Sequence, residues 1–119
     1  MSLPTAVPLD EFTLPPGFEA VGIACGLKAS GRPDLALLVA DREWSAAGVF
    51  TTNRVVAAPV VWDRAVLQAQ AGRVRALIAN SGCANACTGA RGEADTRQTA
   101  ISVAALLNCE PEQVLVLST

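Results

Sequence analysis

The chain has 119 residues, 51% hydrophobic but only 4% aromatic, so a single modest domain must fill its core with Ala, Val, Leu and Ile on closely spaced elements. Nine basic residues against eleven acidic ones give a net charge of -2 without any Lys/Arg cluster, which leaves nucleic-acid binding without electrostatic support. There is no histidine, which excludes Ser-His-Asp and Cys-His mechanisms within this chain.

Residues 1–17 carry Pro4, Pro8, Pro15 and Pro16, which fix φ and remove backbone donors, so an extended arm is expected there and a folded domain over 18–119. The start lacks a basic region followed by an apolar run and does not read as a signal peptide. No apolar stretch approaches the roughly 20 residues that cross a bilayer, and the expected location is the cytoplasm.

Small and β-branched residues from Phe18 to Lys28 predict a strand, and the turn Ser30-Gly31-Arg32-Pro33 leads to a second strand, Leu35 to Ala40. Asp41, Arg42 and Glu43 read as a solvated turn. The apolar run Ala46 to Phe50 predicts a third strand, closed by Thr51-Thr52-Asn53, which serve equally as ligand donors or as a strand-end turn. After Pro59, the spacing of Val60, Val61, Ala65, Val66 and Ala69 predicts a short amphipathic helix.

Val74 to Ala79 predicts another strand, followed by the nearly bulk-free segment Asn80 to Gly89. The apolar positions from Glu93 to Leu107 predict a longer helix stopped by Asn108. Glu110-Pro111-Glu112 makes a turn, and Val114 to Leu117 the last strand, delivering Ser118 and Thr119 to its carboxyl end. The fold class is therefore α/β, with helices layered on a sheet. A buried-looking strand is a poor place for a domain boundary, so the chain is expected to continue past Thr119.

Asn80 to Gly89 lies between strand and helix, where α/β proteins place ligands, yet it has neither a phosphate-loop ending nor a dinucleotide fingerprint. From chemistry alone it is either a ligand loop, shaped by Asn80, Ser81, Gly82, Asn85 and Thr88, or a tight-packing turn. Cys25, Cys83, Cys87 and Cys109 read as reduced, small apolar residues, since no C-x-x-C pair or histidine accompanies them, and no metal is expected. A Thr119 nucleophile would need a base that no residue here supplies in recognisable relation to it. Stabilising an oxyanion is the more economical role, with an ordinary strand end as the alternative.

Three blocks together resemble the ornithine acetyltransferase family of arginine biosynthesis: Gly48 to Val60 (Gly-Val-Phe-Thr-Thr-Asn-Arg-Val-Val-Ala-Ala-Pro-Val), Asn80 to Gly89, and Val114 to Thr119. Gly17 to Asp41, with its Gly-Ile-Ala and Ser-Gly-Arg-Pro-Asp pieces, is similar too. The resemblance implies a layered sandwich shared with self-processing aminopeptidases, and a precursor cut before a threonine that becomes the nucleophile of a partner β chain. It implies an acetyl group moved from N-acetylornithine, or from acetyl-CoA, to glutamate, with no cofactor and with an α2β2 assembly. Thr119 matches the threonine of the family's Thr-Gly oxyanion hole, whereas Cys83 stands where the family commonly has asparagine. Two other readings fit the same residues: a related self-processing hydrolase subunit, and a noncatalytic amino-acid-binding domain.

Overall fold

In the computed structural model, which describes residues 13–119, a four-stranded sheet is built in the order β1 (Phe18–Ile23), β2 (Leu35–Ser45), β3 (Arg73–Asn80) and β4 (Val114–Ser118). Residues 1–12 of the expected arm lie outside the described residues. The first three strands pair antiparallel, while β3 and β4 run parallel, Ala76 opposite Val114 through Asn80 opposite Ser118. A parallel pair needs a crossover, which helix α2 (Gly89–Leu107) supplies. Helix α1 (Ala58–Ala69) joins β2 to β3 and admits Pro59 in its first turn, where a missing N–H costs nothing.

Both helices cover one sheet face. Ala100, Val103 and Ala104 of α2 pack with Ala76, Val114 and Val116, and Leu37, Trp62 and Ile78 complete this core. Small side chains on α2 bring helix and sheet close together, which is how a chain poor in aromatics fills its interior. The other face, carrying Ala36, Leu38, Leu77, Leu115 and Leu117, has no helix over it among the described residues. Asn108 ends α2 in the left-handed conformation at φ 52° and ψ 51°, the conformation in which an asparagine stops a helix.

Two expectations are corrected. The run Ala46 to Phe50 is not a strand: it belongs to a loop without regular structure, and Val49 stands fully in solvent. A strand requires a neighbour for its ladder, and β3 ends its pairing at Arg73, opposite Ser45, so nothing among the described residues continues it. Thr51-Thr52-Asn53 continue this irregular loop and close no strand, the Asn53 N–H donating to Thr51 Oγ1 at 3.2 Å and Arg64 donating to the Thr51 carbonyl at 2.7 Å. Conversely, Asp41, Arg42 and Glu43 are not a turn but part of β2. They sit in a bulge where Ala40 to Glu43 face only Arg75, between the pairs Val39–Ala76 and Trp44–Val74. The bulge lets three successive charged residues stay in a strand while exposed.

Backbone groups of Val114 and Val116 point away from β3, along the open edge of β4, and α1 satisfies them with two adjacent side chains. Trp62 Nε1–H donates to the Val114 carbonyl at 2.9 Å, and the Val116 N–H donates to Asp63 Oδ1 at 2.8 Å. Asp63 is buried, and this burial pushes its carboxyl up to about 6 despite the opposing hydrogen bond from Val116. A carboxyl whose folded pKa exceeds its unfolded value of 3.8 stabilises the fold least when ionised, so stability falls as pH rises from about 3.8 to 6. After allowance for partial solvation, the expected loss is about 1–3 kcal/mol. Asp63→Asn keeps the acceptor for Val116 and should flatten this slope in denaturant titrations between pH 4 and 7; an unchanged slope would assign it elsewhere.

Candidate functional site

At the carboxyl ends of β3 and β4, the loop 81–88 folds back beneath α2 and walls an open cleft of about 340 Å³. Asn80, Asn85, Thr88, Asp95, Thr96, Thr99 and Ser118 supply its polar lining, and Leu27, Ile78 and Val116 part of its apolar lining. The loop reaches this shape through Gly82, at φ 96°, and Cys87, at φ 56°, two positive-φ positions separated by small residues.

Asn85 organises the loop. Its N–H donates to Ser118 Oγ at 2.9 Å, and its Nδ2 donates to the Gly92 carbonyl at 2.8 Å and to Thr96 Oγ1 at 2.9 Å. The Thr88 hydroxyl donates to Asn85 Oδ1, and the buried Thr96 hydroxyl donates to the Gly92 carbonyl at 2.8 Å. Every side-chain polar group of Asn85 is thereby partnered, which ties the loop to both the first turns of α2 and the end of β4. Gly92 is part of the design, because a Cβ there would collide with Thr88 Oγ1 and Asn85 Oδ1. Asn80 Nδ2 donates to the Cys83 carbonyl at 2.9 Å, and the Ser118 hydroxyl donates to the same carbonyl at 3.0 Å.

Thr119 lies on the other side of the sheet. Strand alternation turns it away from Ser118 and beside a shallow hollow of about 250 Å³, shared with Gly22, Ala36, Ala79 and Ser81 on the helix-free face. Its backbone is held by two rungs, its N–H donating to the carbonyl of Asn80 at the end of β3 at 3.0 Å and its carbonyl accepting the N–H of Gly82, in the loop that follows, at 2.9 Å. Of the residues expected to shape a site, Asn80, Asn85 and Thr88 therefore meet in the cleft. Ser81 and Thr119 meet in the hollow, with Asn80 reaching both and Gly82 linking them through the ladder.

Asp34 supports this end of the sheet. It is only 3% exposed, and its carboxylate accepts the N–H groups of Cys25 at 2.7 Å and Lys28 at 2.8 Å. Those bonds hold its carboxyl far below the usual carboxylate range, and the Asp34 carboxylate in turn raises the Cys25 thiol. Its carbonyl accepts the Ser81 N–H at 2.8 Å, so one residue fixes both the loop 24–34 and the start of the loop 81–88. All four cysteines are free thiols, and among the described residues no cluster of three His, Cys, Asp or Glu side chains could hold a metal. No helix among the described residues is long and apolar enough to cross a membrane.

The sequence profile of the ArgJ family matches residues 19–119. This chain belongs to the ArgJ family. It is 57% identical over 97 residues to the arginine biosynthesis bifunctional protein ArgJ of Mycobacterium tuberculosis, covering 81% of this chain and 24% of that protein. It is 46% identical over 112 residues to the ArgJ protein of Rhodopirellula baltica, covering 94% of this chain and 27% of that one. The chain thus spans about a quarter of the length of these curated relatives. Among solved structures, it superposes with a TM-score of 0.82 and 50% identity on ornithine acetyltransferase complexed with ornithine from M. tuberculosis, covering 88% of this chain and 57% of that one. The ArgJ protein of Bacillus halodurans superposes with a TM-score of 0.83 at 39% identity, covering 87% and 53%. The expected α/β fold is thus the fold of ArgJ proteins.

Several residues of this ArgJ-family site escaped the sequence reading. Asp34, Gly92 and Thr96 act through contacts distant in sequence or through the absence of a side chain. Gly92 carries no signal, because the helical pattern is readable only from Glu93, while α2 starts at Gly89 and takes Gly92 into its first turn.

Proposed function

We propose that this chain is the α-chain portion of an ornithine acetyltransferase, which moves an acetyl group from N-acetylornithine to glutamate through an acyl-threonine on a partner β chain. The observation that carries the reading is its 50% identity and close superposition with a solved ornithine acetyltransferase. The site adds support, since Thr119 stands at the end of a parallel strand with its backbone N–H and carbonyl both held, by Asn80 at the end of β3 and by Gly82 just after it.

In this mechanism the partner's terminal threonine hydroxyl attacks the acetyl carbonyl, its own amine taking the proton, and the carbonyl oxygen becomes an oxyanion. Thr119 donates its hydroxyl to that oxyanion, beside the N–H of the residue that follows. Collapse expels ornithine, whose amine takes the proton, and leaves acetyl-threonine. The glutamate amine then attacks the ester, and the threonine oxygen leaves with a proton. Acetyl-CoA enters as an alternative acetyl donor at the first step, the assembly is α2β2, and the protein works in the cytoplasm.

Division into two chains also has support from lengths. The solved M. tuberculosis polypeptide is covered to 57% by this chain and the curated relative of the same species to only 24%, so the solved polypeptide is the shorter by more than half. Expressing the whole coding region and measuring intact masses, with N-terminal sequencing of each component, should find two polypeptides, one beginning with threonine. A single uncut polypeptide with full acetyl-transfer activity would remove the acyl-threonine mechanism.

A further inference from the structure

We propose that Gly82 and Ser118 are positioning residues that aim the second donor of the oxyanion hole. The inference rests on the role of Thr119 proposed above and goes beyond it. A trans peptide unit is planar, so the N–H following a residue points opposite to that residue's carbonyl. The Thr119 carbonyl is held by the Gly82 N–H at 2.9 Å. The amide that follows Thr119 in the complete protein is thereby turned to point away from β3, and cannot reverse without breaking this rung. Gly82 holds its own N–H in place at φ 96°, a conformation side chains rarely adopt.

The loop that carries Gly82 is held at Ser81 by Asp34, at Cys83 by Asn80 and at Asn85 by α2, and Ser118 is the anchor that ties it to β4. Its hydroxyl accepts the Asn85 N–H at 2.9 Å and donates to the Cys83 carbonyl at 3.0 Å, so one oxygen on β4 fastens both arms of the loop. Ser118 faces the cleft and Thr119 the opposite face, so Ser118 acts on the hole through backbone geometry and not by touching substrate.

The test uses the complete protein, its two chains encoded separately so that self-cleavage does not limit yield. Ser118→Ala should lower kcat by on the order of 10- to 100-fold while KM for the acetyl donor stays within about twofold. Ser118→Thr, which keeps the hydroxyl, should return kcat to within about threefold of the parent. Added to Thr119→Ala, which removes the hydroxyl donor but leaves the backbone donor and its rung in place, Ser118→Ala should still lower kcat by on the order of 10-fold. Gly82→Ala, which strains the same rung, should show the same loss in kcat alone and keeps the proposal testable if Ser118→Ala does not fold. A Ser118→Ala change without further effect in the Thr119→Ala background, a kcat unchanged in Ser118→Ala and Gly82→Ala, or a loss expressed in KM, overturns the positioning role. A Thr119→Ala protein as fast as the parent overturns the reading of Thr119 itself, and this inference with it.

Discussion

Thr119→Ala in the complete two-chain protein is expected to slow acetyl transfer by about 100- to 1000-fold, the usual cost of one oxyanion-hole donor, or roughly 2.7–4 kcal/mol of transition-state stabilisation. The loss should fall on kcat, because the oxyanion exists only in the transition state and intermediate, and substrate binding should change little. Folding should be nearly unaffected: Thr119 is exposed, and its bonds to Asn80 and Gly82 are both made by backbone atoms that alanine retains. Steady-state kinetics with N-acetylornithine and glutamate, run beside a thermal melt, separates the two effects. A rate within about twofold of the parent would remove Thr119 from the chemistry.

The second large effect is expected at Gly92. Replacing a glycine within a helix by alanine ordinarily stabilises by about 1 kcal/mol. Here the sign should reverse. The new Cβ would occupy the space of Thr88 Oγ1 and Asn85 Oδ1, and displacing Asn85 breaks its bonds to the Gly92 carbonyl and to buried Thr96. Overpacking costs about 1–3 kcal/mol and each lost hydrogen bond about 1 kcal/mol, so Gly92→Ala should destabilise by about 2 kcal/mol net, roughly 10 °C in Tm. Combining it with Asn85→Ala empties part of the contested space, so the double variant should be more stable than the sum of the single effects. A Gly92→Ala chain as stable as the parent would show that Asn85 does not occupy that position in solution.

How well the sequence anticipated each part depended on how local its cause was. The course of α2 from Glu93 to its stop at Asn108, and the compact runs of β3 and β4, follow from periodicity, a left-handed asparagine and short branched segments, all readable within a few residues. The first turn of α2, from Gly89, carries two glycines and no apolar repeat and is not expected from the sequence. The family resemblance also lay in the order of linear blocks, and the match over residues 19–119 agrees with it. By contrast, Ala46 to Phe50 and Asp41 to Glu43 have misleading local patterns. The first is apolar without a neighbouring strand, and the second is charged yet kept in β2 by a bulge opposite Arg75.

The sequence by itself therefore determined the fold class, the existence of the two helices and of the four strands, the family, and the absence of a histidine-based mechanism from this chain. The tertiary structure alone decided that Asn85 joins Gly92, Thr96 and Ser118, that Asp34 pins two loops, and that adjacent Ser118 and Thr119 serve opposite faces of the sheet. Periodicity is a property of neighbouring residues and is written in their order. A hydrogen bond between residues 33 positions apart, or a space that only a missing Cβ leaves open, exists only once the strands and helices have packed.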